Sequence, residues 1–289
     1  MNRILLVAAV VVAVVAGPAF AGAPAPPPST FQKFAWSEVL VTGKVTAIEK
    51  DTVDATPPYA GAKDQVAYKV AVVKIDGGLV GASNLTHIKV GFIPPDPNAP
   101  PLRGSGGVIR QREPVPVLKE GQEMLLFLAK HPTADFYVMG YRNMPVDIST
   151  DAGKKELETV KKFAAALADP MKGLKSDKAE VRGETAMIVV MKYRAYPTFA
   201  TKIEEVAIPV EESKLLLKGL AEADWDGRAG GPTHPLYAYY QLGLTEKDGW
   251  KEPVAKPGVN FNTLMKEAFA EWLAGPGKDY QIKKIVPKK

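Results

Sequence analysis

Cysteine is absent from this chain of 289 residues. Without cysteine there can be no disulfide framework, no thiol nucleophile, no iron–sulfur cluster and no cysteine-ligated zinc. Histidine is scarce too: the chain has only three, and none has a second histidine or a carboxylate at a metal-binding spacing such as H-x-H or H-E-x-x-H. The sequence therefore predicts neither a metal site nor a cofactor.

The chain also lacks a large excess of charge of either sign. The 37 Lys and Arg residues outnumber the 32 Asp and Glu residues only slightly, so the net charge is +5. A nucleic-acid-binding protein would concentrate its basic residues in a stripe with interleaved aromatic residues, or in a recognisable module. The sequence shows neither pattern, and we expect no nucleic-acid partner.

Long hydrophobic runs are confined to the N-terminal end. Arg3 precedes an unbroken apolar run from Ile4 to Ala16, and a small-residue cleavage pattern ends at Ala21. Together they predict a secretory signal peptide over residues 1–21. The run is shorter than the about 20 apolar residues of a membrane-spanning helix. We therefore expect a secreted or periplasmic protein with no transmembrane segment after cleavage.

After the signal peptide, a proline-rich linker is predicted over residues 22–33, and a pattern of period two then begins. Gly43, inside the first run of this pattern, indicates a bulge or a sharp bend. Strands are predicted at 39–48, 66–75, 85–92, 124–128 and 136–141. Five strands with a bent first strand and one long excursion are typical of a small Greek-key barrel.

The second half of the chain has apolar residues at helical spacing. Helices are predicted after a cap at 149–151, after a capping box at 177–180, over 211–221 and over 264–273. Residues 174–182 are similar to the opening of the second helix of a HEAT-type repeat. A second copy of that unit is not evident, although a solenoid needs about three.

Three stretches of the first half carry a resemblance to a known family. They are Ser-Glu-Val-Leu-Val-Thr-Gly-Lys-Val at 37–45, Tyr-Lys-Val-Ala-Val at 68–72, and Leu-Lys-Glu-Gly-Gln-Glu-Met-Leu-Leu-Phe-Leu at 118–128. With them, residues 37–145 resemble the netrin-like module, the OB-fold barrel of tissue inhibitors of metalloproteinases and related extracellular domains. The resemblance implies a fold of that kind. Those inhibitors chelate a catalytic zinc through an N-terminal cysteine, which this chain lacks, so that chemistry does not carry over.

The predicted fold class is therefore α+β. A five-stranded OB-like β-barrel is expected over residues 34–146, followed by an α-helical domain over residues 147–289.

Two segments are candidate binding surfaces. The excursion over residues 93–121 is rich in proline and contains Arg103, Arg110 and Arg112. Long loops of this kind are functional or disordered, and arginine presents paired donors to carboxylate, sulfate or phosphate groups. The sequence thus indicates either a recognition arm for a protein or an anionic polymer, or a disordered insertion.

The other segment runs over residues 225–240. Its Trp225 and Tyr237, near glycine-rich turns, indicate either a surface that stacks on sugars or anchors a protein, or the packed edge of the helical domain. Asp224 and Asp226 could supply the paired carboxylates of a hydrolase, or could simply form an Asx turn.

The three histidines are expected at the surface or in turns. His87 falls in the outward register of a predicted strand, and His131 and His234 each precede a proline.

Taken together, the sequence features favour an exported, non-enzymatic binding or structural module whose partner is a protein or an anionic polymer of the cell envelope. The alternative is a hydrolase that acts on an envelope polymer through the acidic residues near 225–240.

Overall fold

The computed structural model of the chain describes residues 27–95, 102–103, 109–110, 115–140, 143–226, 234–255 and 257–288. The chain divides into two compact units, one of Met1–Pro27 and Pro100–Arg112 and one of Pro28–Ala99 and Glu113–Lys289. In the first unit, Pro27 and the backbone of one short hairpin are described. The predicted signal peptide, and residues 22–26 of the predicted linker, lie outside the described residues.

The described residues form a mixed α+β structure. The strands are β1 (Val39–Ala55), β2 (Val66–Val80), β3 (His87–Phe92), β4 (Leu102–Arg103), β5 (Ile109–Arg110), β6 (Glu123–Lys130), β7 (Tyr137–Met139), β8 (Val146–Asp147), β9 (Ile203–Ala207) and β10 (Lys283–Pro287). The helices are α1 (Thr30–Trp36), α2 (Asp151–Ala168), α3 (Pro170–Leu174), α4 (Ala179–Tyr193), α5 (Val210–Glu222), α6 (Pro235–Leu242) and α7 (Phe261–Ala274). The predicted α+β class, with a strand-rich half before a helix-rich half, is confirmed.

Five strands of the larger unit pair in a closed cycle. β1 pairs antiparallel with β2 along one edge and with β6 along the other. β2 pairs antiparallel with β3, β3 pairs parallel with β7, and β7 pairs antiparallel with β6. β8 continues the sheet beside the other end of β6. The five strands of the cycle coincide with the five that the sequence predicts.

Gly43 marks an irregularity in β1, as the sequence predicts. The pairing register between β1 and β2 shifts between Thr42 and Gly43, which is typical of a bulge. A Cβ on Gly43 would lie 2.4 Å from the carbonyl oxygen of Lys74 and 2.8 Å from Cγ1 of Val73. The two strands therefore approach so closely here that only glycine fits without a backbone shift.

β6 is buried on both faces, which explains its continuous apolar sequence. Leu126 and Leu128 pack into a core with valine side chains of β1, β2 and β3. Leu125 and Phe127 belong to a larger core with side chains of α1, α2 and α4 to α7. The strands and helices of the larger unit therefore share this second core. The predicted domain boundary between 146 and 147 stays a prediction.

The helix starts are predicted with mixed success. Thr150 caps α2 by accepting a hydrogen bond from the Gly153 N–H at 3.1 Å, as expected. The capping box predicted at 177–180 is wrong, because α4 begins at Ala179 and its N-cap is Lys178, whose side chain makes no capping hydrogen bond. Asp177 therefore lies one residue before the position from which a side chain caps the first turn.

The sequence pattern does not predict α1, because it places residues 22–33 in a linker and begins the strand pattern at residue 34. Ser29 and Gln32 form a capping box that starts this short helix. Phe31 and Phe34 then pack edge-on against the Phe163 ring of α2, each with ring centroids 5.4 Å apart. Residues 30–36 are thus part of the core. α6 and the two-stranded antiparallel sheet of β9 and β10 are also not predicted, since short elements show little periodicity.

Candidate ligand-binding groove

A groove of about 450 Å³ lies on the surface of the larger unit. The end of α1, the β1–β2 connection, the segment after β7, the α4–β9 connection and α6 all contribute to it. Its lining residues are Trp36, Pro58, Tyr59, Ala60, Gly140, Asn143, Ala195, Tyr196, Thr198 and Gln241. The volume falls within the range of about 300–1,000 Å³ that is usual for ligand sites.

Aromatic side chains at the rim of this groove are unusually exposed. Trp36 is 41% exposed, Tyr59 52% and Tyr196 65%. The other three tryptophans are buried among the aromatic side chains of the helices; they are Trp225, Trp250 and Trp272. Three large rings facing one groove leave apolar surface in water, and a ligand that covers them would remove that surface from solvent.

Asn143, one of the lining residues, carries a buried polar atom. It is only 3% exposed, and its side-chain oxygen Oδ1 has no hydrogen-bond partner among the described residues. The backbone N–H of Asn143 donates to the Gly140 oxygen at 2.9 Å, which holds the residue in place. A buried acceptor without a donor costs about 1–3 kcal/mol.

No charged side chain is found among the described residues that line the groove. The nearby Lys192 of α4 directs its Nζ elsewhere, where it donates to the backbone oxygens of Ser37 and of Phe34, the latter at 3.5 Å. Burial lowers the pKa of Lys192 to about 8, against a smaller opposite effect of the Glu38 carboxylate. This lysine therefore joins α4 to the end of α1, and so joins the segments that carry Tyr196 and Trp36.

Trp225, one of the candidate binding residues, is fully buried, so its ring is not presented at the surface. Its indole Nε1–H donates to the Leu220 oxygen at 2.9 Å, and its ring packs against Tyr239 and Phe269. The aromatic residues around 225 are mostly core because α5, α6 and α7 meet there. The alternative interpretation, a packed edge of the helical half, describes this tryptophan correctly.

Asp224 and Asp226 are exposed and form an Asx turn. The Asp226 backbone N–H donates to Asp224 Oδ1 at 3.0 Å, and Asp226 Oδ1 accepts from Thr263 Oγ1 at 3.2 Å. Neither carboxylate lines the aromatic groove. The local hydrogen bonds account for both residues as turn formers, and a catalytic role for them stays a prediction.

Tyr237 is 43% exposed, as a binding residue should be. It lies on α6, four residues before Gln241, so the two share a face of that helix. Because Gln241 lines the groove, Tyr237 lies on the helix face that borders it. Tyr237 is not one of the groove's lining residues, and its role as a binding residue stays a prediction.

The arginines of the predicted recognition arm are described only in part. Arg103 ends β4 and Arg110 ends β5, and the two strands pair antiparallel as a short hairpin. Arg112 lies outside the described residues. The recognition arm therefore stays a prediction.

The sequence predicts the three histidines at the surface or in turns, and two of the three rings are buried inside the segments that they begin. His87 is exposed, but His131 is 2% and His234 5% exposed. The His131 ring accepts hydrogen bonds at Nδ1 from two backbone N–H groups of its own turn, and its Nε2 lies 3.0 Å from the Thr56 oxygen. Each buried ring therefore stabilises a turn from inside rather than facing solvent.

Sequence reasoning missed the groove itself. Trp36, Tyr59, Asn143 and Tyr196 come from four separate segments, and no spacing pattern connects them. The only local signal is the Pro57–Pro58–Tyr59 turn, which holds an aromatic ring at an irregular, exposed position.

Within the described parts of the chain, no helix combines the length and apolar character needed to cross a bilayer. The same residues include no group of three or more His, Asp or Glu side chains placed to hold a metal ion. No family model and no curated protein matches the sequence.

Proposed function

We propose that this chain is an exported, non-enzymatic binding protein whose aromatic groove holds an uncharged segment of a partner protein. The observation that carries the proposal is that three exposed rings, Trp36, Tyr59 and Tyr196, line one groove. These rings leave apolar surface in water, and a partner that covers them removes that surface from solvent.

The nature of the lining favours binding over catalysis. Its described residues offer three aromatic rings, two of which carry a phenol hydroxyl, together with small apolar groups, two amides and one threonine hydroxyl. General acid–base and nucleophilic chemistry use imidazole, carboxylate, lysine or activated hydroxyl groups held within hydrogen-bond reach of one another. The groove instead has the composition of a protein interaction surface, where large aromatic side chains dominate the binding energy.

The strand arrangement supports an OB-like barrel under this groove. The cycle β1-β2-β3-β7-β6, closed by the β6–β1 pairing, has five strands and one parallel pair. OB-folds are five-stranded Greek-key barrels that bind ligands with the loop between their first two strands, among others. Pro58, Tyr59 and Ala60 lie in the corresponding loop here. The netrin-like resemblance agrees with such a barrel.

Export is the second part of the proposal and rests on the sequence of residues 1–21. Expression of the full chain in a secreting host tests it directly. We expect the mass of the purified protein to correspond to a chain that begins at Gly22. Recovery of the uncut chain from the cytosolic fraction would contradict export, and would leave the groove proposal standing.

Tryptophan quenching tests the binding proposal. Trp36 is the accessible tryptophan among four, so acrylamide quenching of the intrinsic fluorescence reports mainly on the groove. Three probes are compared: an uncharged proline-containing peptide, a neutral oligosaccharide and the anionic polymer heparin. We expect at least one uncharged probe to protect Trp36 saturably. If none of the three probes protects Trp36 from quenching, or if only heparin does, the proposal is contradicted.

Matched variants keep this test specific. Tyr196→Ser removes a ring from the rim and should weaken protection, whereas Val254→Ser changes a residue that is 81% exposed and does not line the groove. Equal losses for both variants would contradict a site at the groove.

A further inference from the structure

We infer that a second groove, formed by α5 and α7, is the docking site of an acidic amphipathic helix of a partner protein. This α5–α7 groove has a volume of about 430 Å³ and shares no lining residue with the aromatic groove. Three features of it carry the inference: the helical spacing of its lining side chains, its apolar floor and its rim of lysines. A ligand at this groove does not depend on a ligand at the aromatic groove.

The lining side chains of the α5–α7 groove follow the helical period. On α5 they lie at i, i+3, i+4, i+7 and i+8 from Lys214, and on α7 they lie at i, i+3 and i+4 from Ala270. Such spacing places each set on one face of its helix. Two neighbouring helices with these faces exposed leave a furrow into which the side-chain ridge of a third helix packs. The eight residues along α5 span about 12 Å, which accommodates about two turns of a docked helix.

The floor of the α5–α7 groove is apolar and open to water. Leu217 is 3% exposed and belongs to the larger core, Ala221 and Leu273 are half-buried, and Ala270 and Ala274 are exposed. Small side chains at the exposed positions leave room for the backbone of another helix to approach α7. A site for a lipid chain would instead enclose about 70–90% of its ligand. The open floor therefore favours a helix over an acyl chain.

The rim of the α5–α7 groove is basic. Lys214, Lys218 and Lys278 are exposed, and Glu222 is the single carboxylate among the described lining residues. The Glu222 carboxylate accepts a hydrogen bond from Arg182 Nε at 2.6 Å and lies 3.8 Å from Lys218 Nζ, so its charge is compensated within the structure. The ion pairs among the described residues include neither Lys214 nor Lys278. Positive charge is therefore left at the rim for a ligand.

The apolar floor and the basic rim together define the ligand. A helix with large apolar side chains along one stripe and carboxylates beside that stripe covers the floor and pairs with the lysines. A polyanion such as heparin would pair with the lysines but leave the floor in water, and an uncharged helix would leave the lysines without partners. Because the rim is exposed, salt should screen these pairs and weaken binding.

Fluorescence anisotropy of labelled peptides, titrated with the full chain, tests the inference. The acidic probe is a peptide of about 18 residues, long enough to form a helix, with leucine at i, i+3, i+4 and i+7 and glutamate on both sides of that stripe. A reordered probe has the same composition but spreads its leucines around the helix, and a basic probe has lysine in place of glutamate. We expect the acidic probe to bind at least about tenfold more tightly than the reordered probe, since only a continuous stripe covers the floor. The basic probe should not bind detectably.

Reversal of charge locates the site. Lys214→Glu/Lys278→Glu turns two exposed lysines of the rim into carboxylates, so this variant should lose the acidic probe and bind the basic probe instead. The control Lys119→Glu/Lys155→Glu changes the net charge equally at two exposed positions that do not line the groove, and should keep the preference of the wild type. Because all four side chains are exposed, urea unfolding should give similar free energies of unfolding for both variants. A rim variant that binds the acidic probe as tightly as the control does would overturn the inference.

Other occupants give different results. If the reordered probe binds as tightly as the acidic probe, charge alone is responsible and the inference is wrong. Binding of phosphatidylglycerol vesicles or heparin without binding of the acidic probe would assign the surface to a membrane or a polymer, and would also overturn it. The acidic probe should leave the acrylamide quenching of Trp36 unchanged. Protection of Trp36 by this probe would place it in the aromatic groove and overturn the inference, whereas failure of every uncharged probe to protect Trp36 affects only the proposed function.

Discussion

The side chain of Lys192 reaches from α4 to the end of α1, where its ammonium group donates a hydrogen bond to the backbone oxygen of Ser37. The same group lies 5.7 Å from the centroid of the Phe34 ring. A cation at the C-terminal end of a helix is favourable because the last carbonyl groups have no partners inside the helix. Since Trp36 lies between these two contacts, Lys192 fixes one wall of the groove.

Replacing Lys192 with methionine should loosen that wall. Lys192→Met keeps the length of the side chain but removes the donors that hold the backbone oxygens of Phe34 and Ser37. We expect a steeper acrylamide quenching slope for Trp36 and weaker binding of uncharged probes. Lys214→Met makes the same chemical change at an exposed position of α5 and should alter neither. An unchanged quenching slope in Lys192→Met would show that the contact does not position Trp36.

The pH dependence of stability should carry the signature of Lys192. Burial lowers its pKa from 10.5 to about 8, so between these values the unfolded chain binds more protons than the folded one. The free energy of unfolding therefore rises with pH across this window, by roughly 1–2 kcal/mol between pH 8 and 9.5. Urea unfolding at several pH values measures the rise, which should be missing in Lys192→Met.

The upper limit of that pH range follows from the buried tyrosines. Burial raises the pKa of Tyr193 and Tyr239 above the ordinary 10.0. Stability that depends on their protonated forms is complete below pH 10 and is lost above it, which would mask the effect of Lys192. A wild-type stability that stays flat or falls between pH 8 and 9.5 would contradict the assigned environment of the lysine.

His234 should be a stabilising residue rather than a surface one. Its Nδ1 accepts the Leu236 N–H at 3.2 Å and caps α6, and its Nε2 lies 3.1 Å from the Trp225 oxygen. His234→Ala removes both contacts and should lower the free energy of unfolding by about 2–3 kcal/mol. His234→Asn retains a capping oxygen and should lose roughly half as much. Chemical denaturation that gives equal losses for both variants would exclude the capping contribution.

Gly43 provides a prediction about the sheet. A Cβ at this position meets the Lys74 backbone at 2.4 Å, so Gly43→Ala should lower the free energy of unfolding by about 3 kcal/mol or more. Gly61 has φ of 76° but open space around it, so Gly61→Ala should cost only about 1 kcal/mol from backbone strain. The two variants are compared by urea unfolding. A Gly43→Ala variant as stable as Gly61→Ala would contradict the close approach of β1 and β2.

The sequence predicts the elements of this fold better than their arrangement. Period-two patterns indicate β1, β2 and β3, and the continuous apolar run of β6 indicates that both its faces are buried. The parallel pairing of β3 with β7 is a long-range contact that no local pattern reveals. α1 is missed because seven residues are too few to show a helical period.

The candidate binding residues are predicted least well. An aromatic residue in a glycine-rich segment is compatible with either a binding surface or a core, and the fold places Trp225 in the core and Tyr237 at the surface. Trp36 and Asn143 become functional candidates only when β7, α1 and α4 meet. A groove assembled from distant segments has no signature in a single sequence.

The indole N–H resonances of the full chain test the central claim most directly. The chain has four tryptophans, and the Trp36 resonance is identified by its absence in Trp36→Phe. Titration with an uncharged probe that protects Trp36 from quenching should shift the Trp36 resonance saturably and leave the resonances of the three buried indoles unchanged. A Trp36 resonance that stays in place with every uncharged probe would contradict the assignment of this groove as a ligand-binding site.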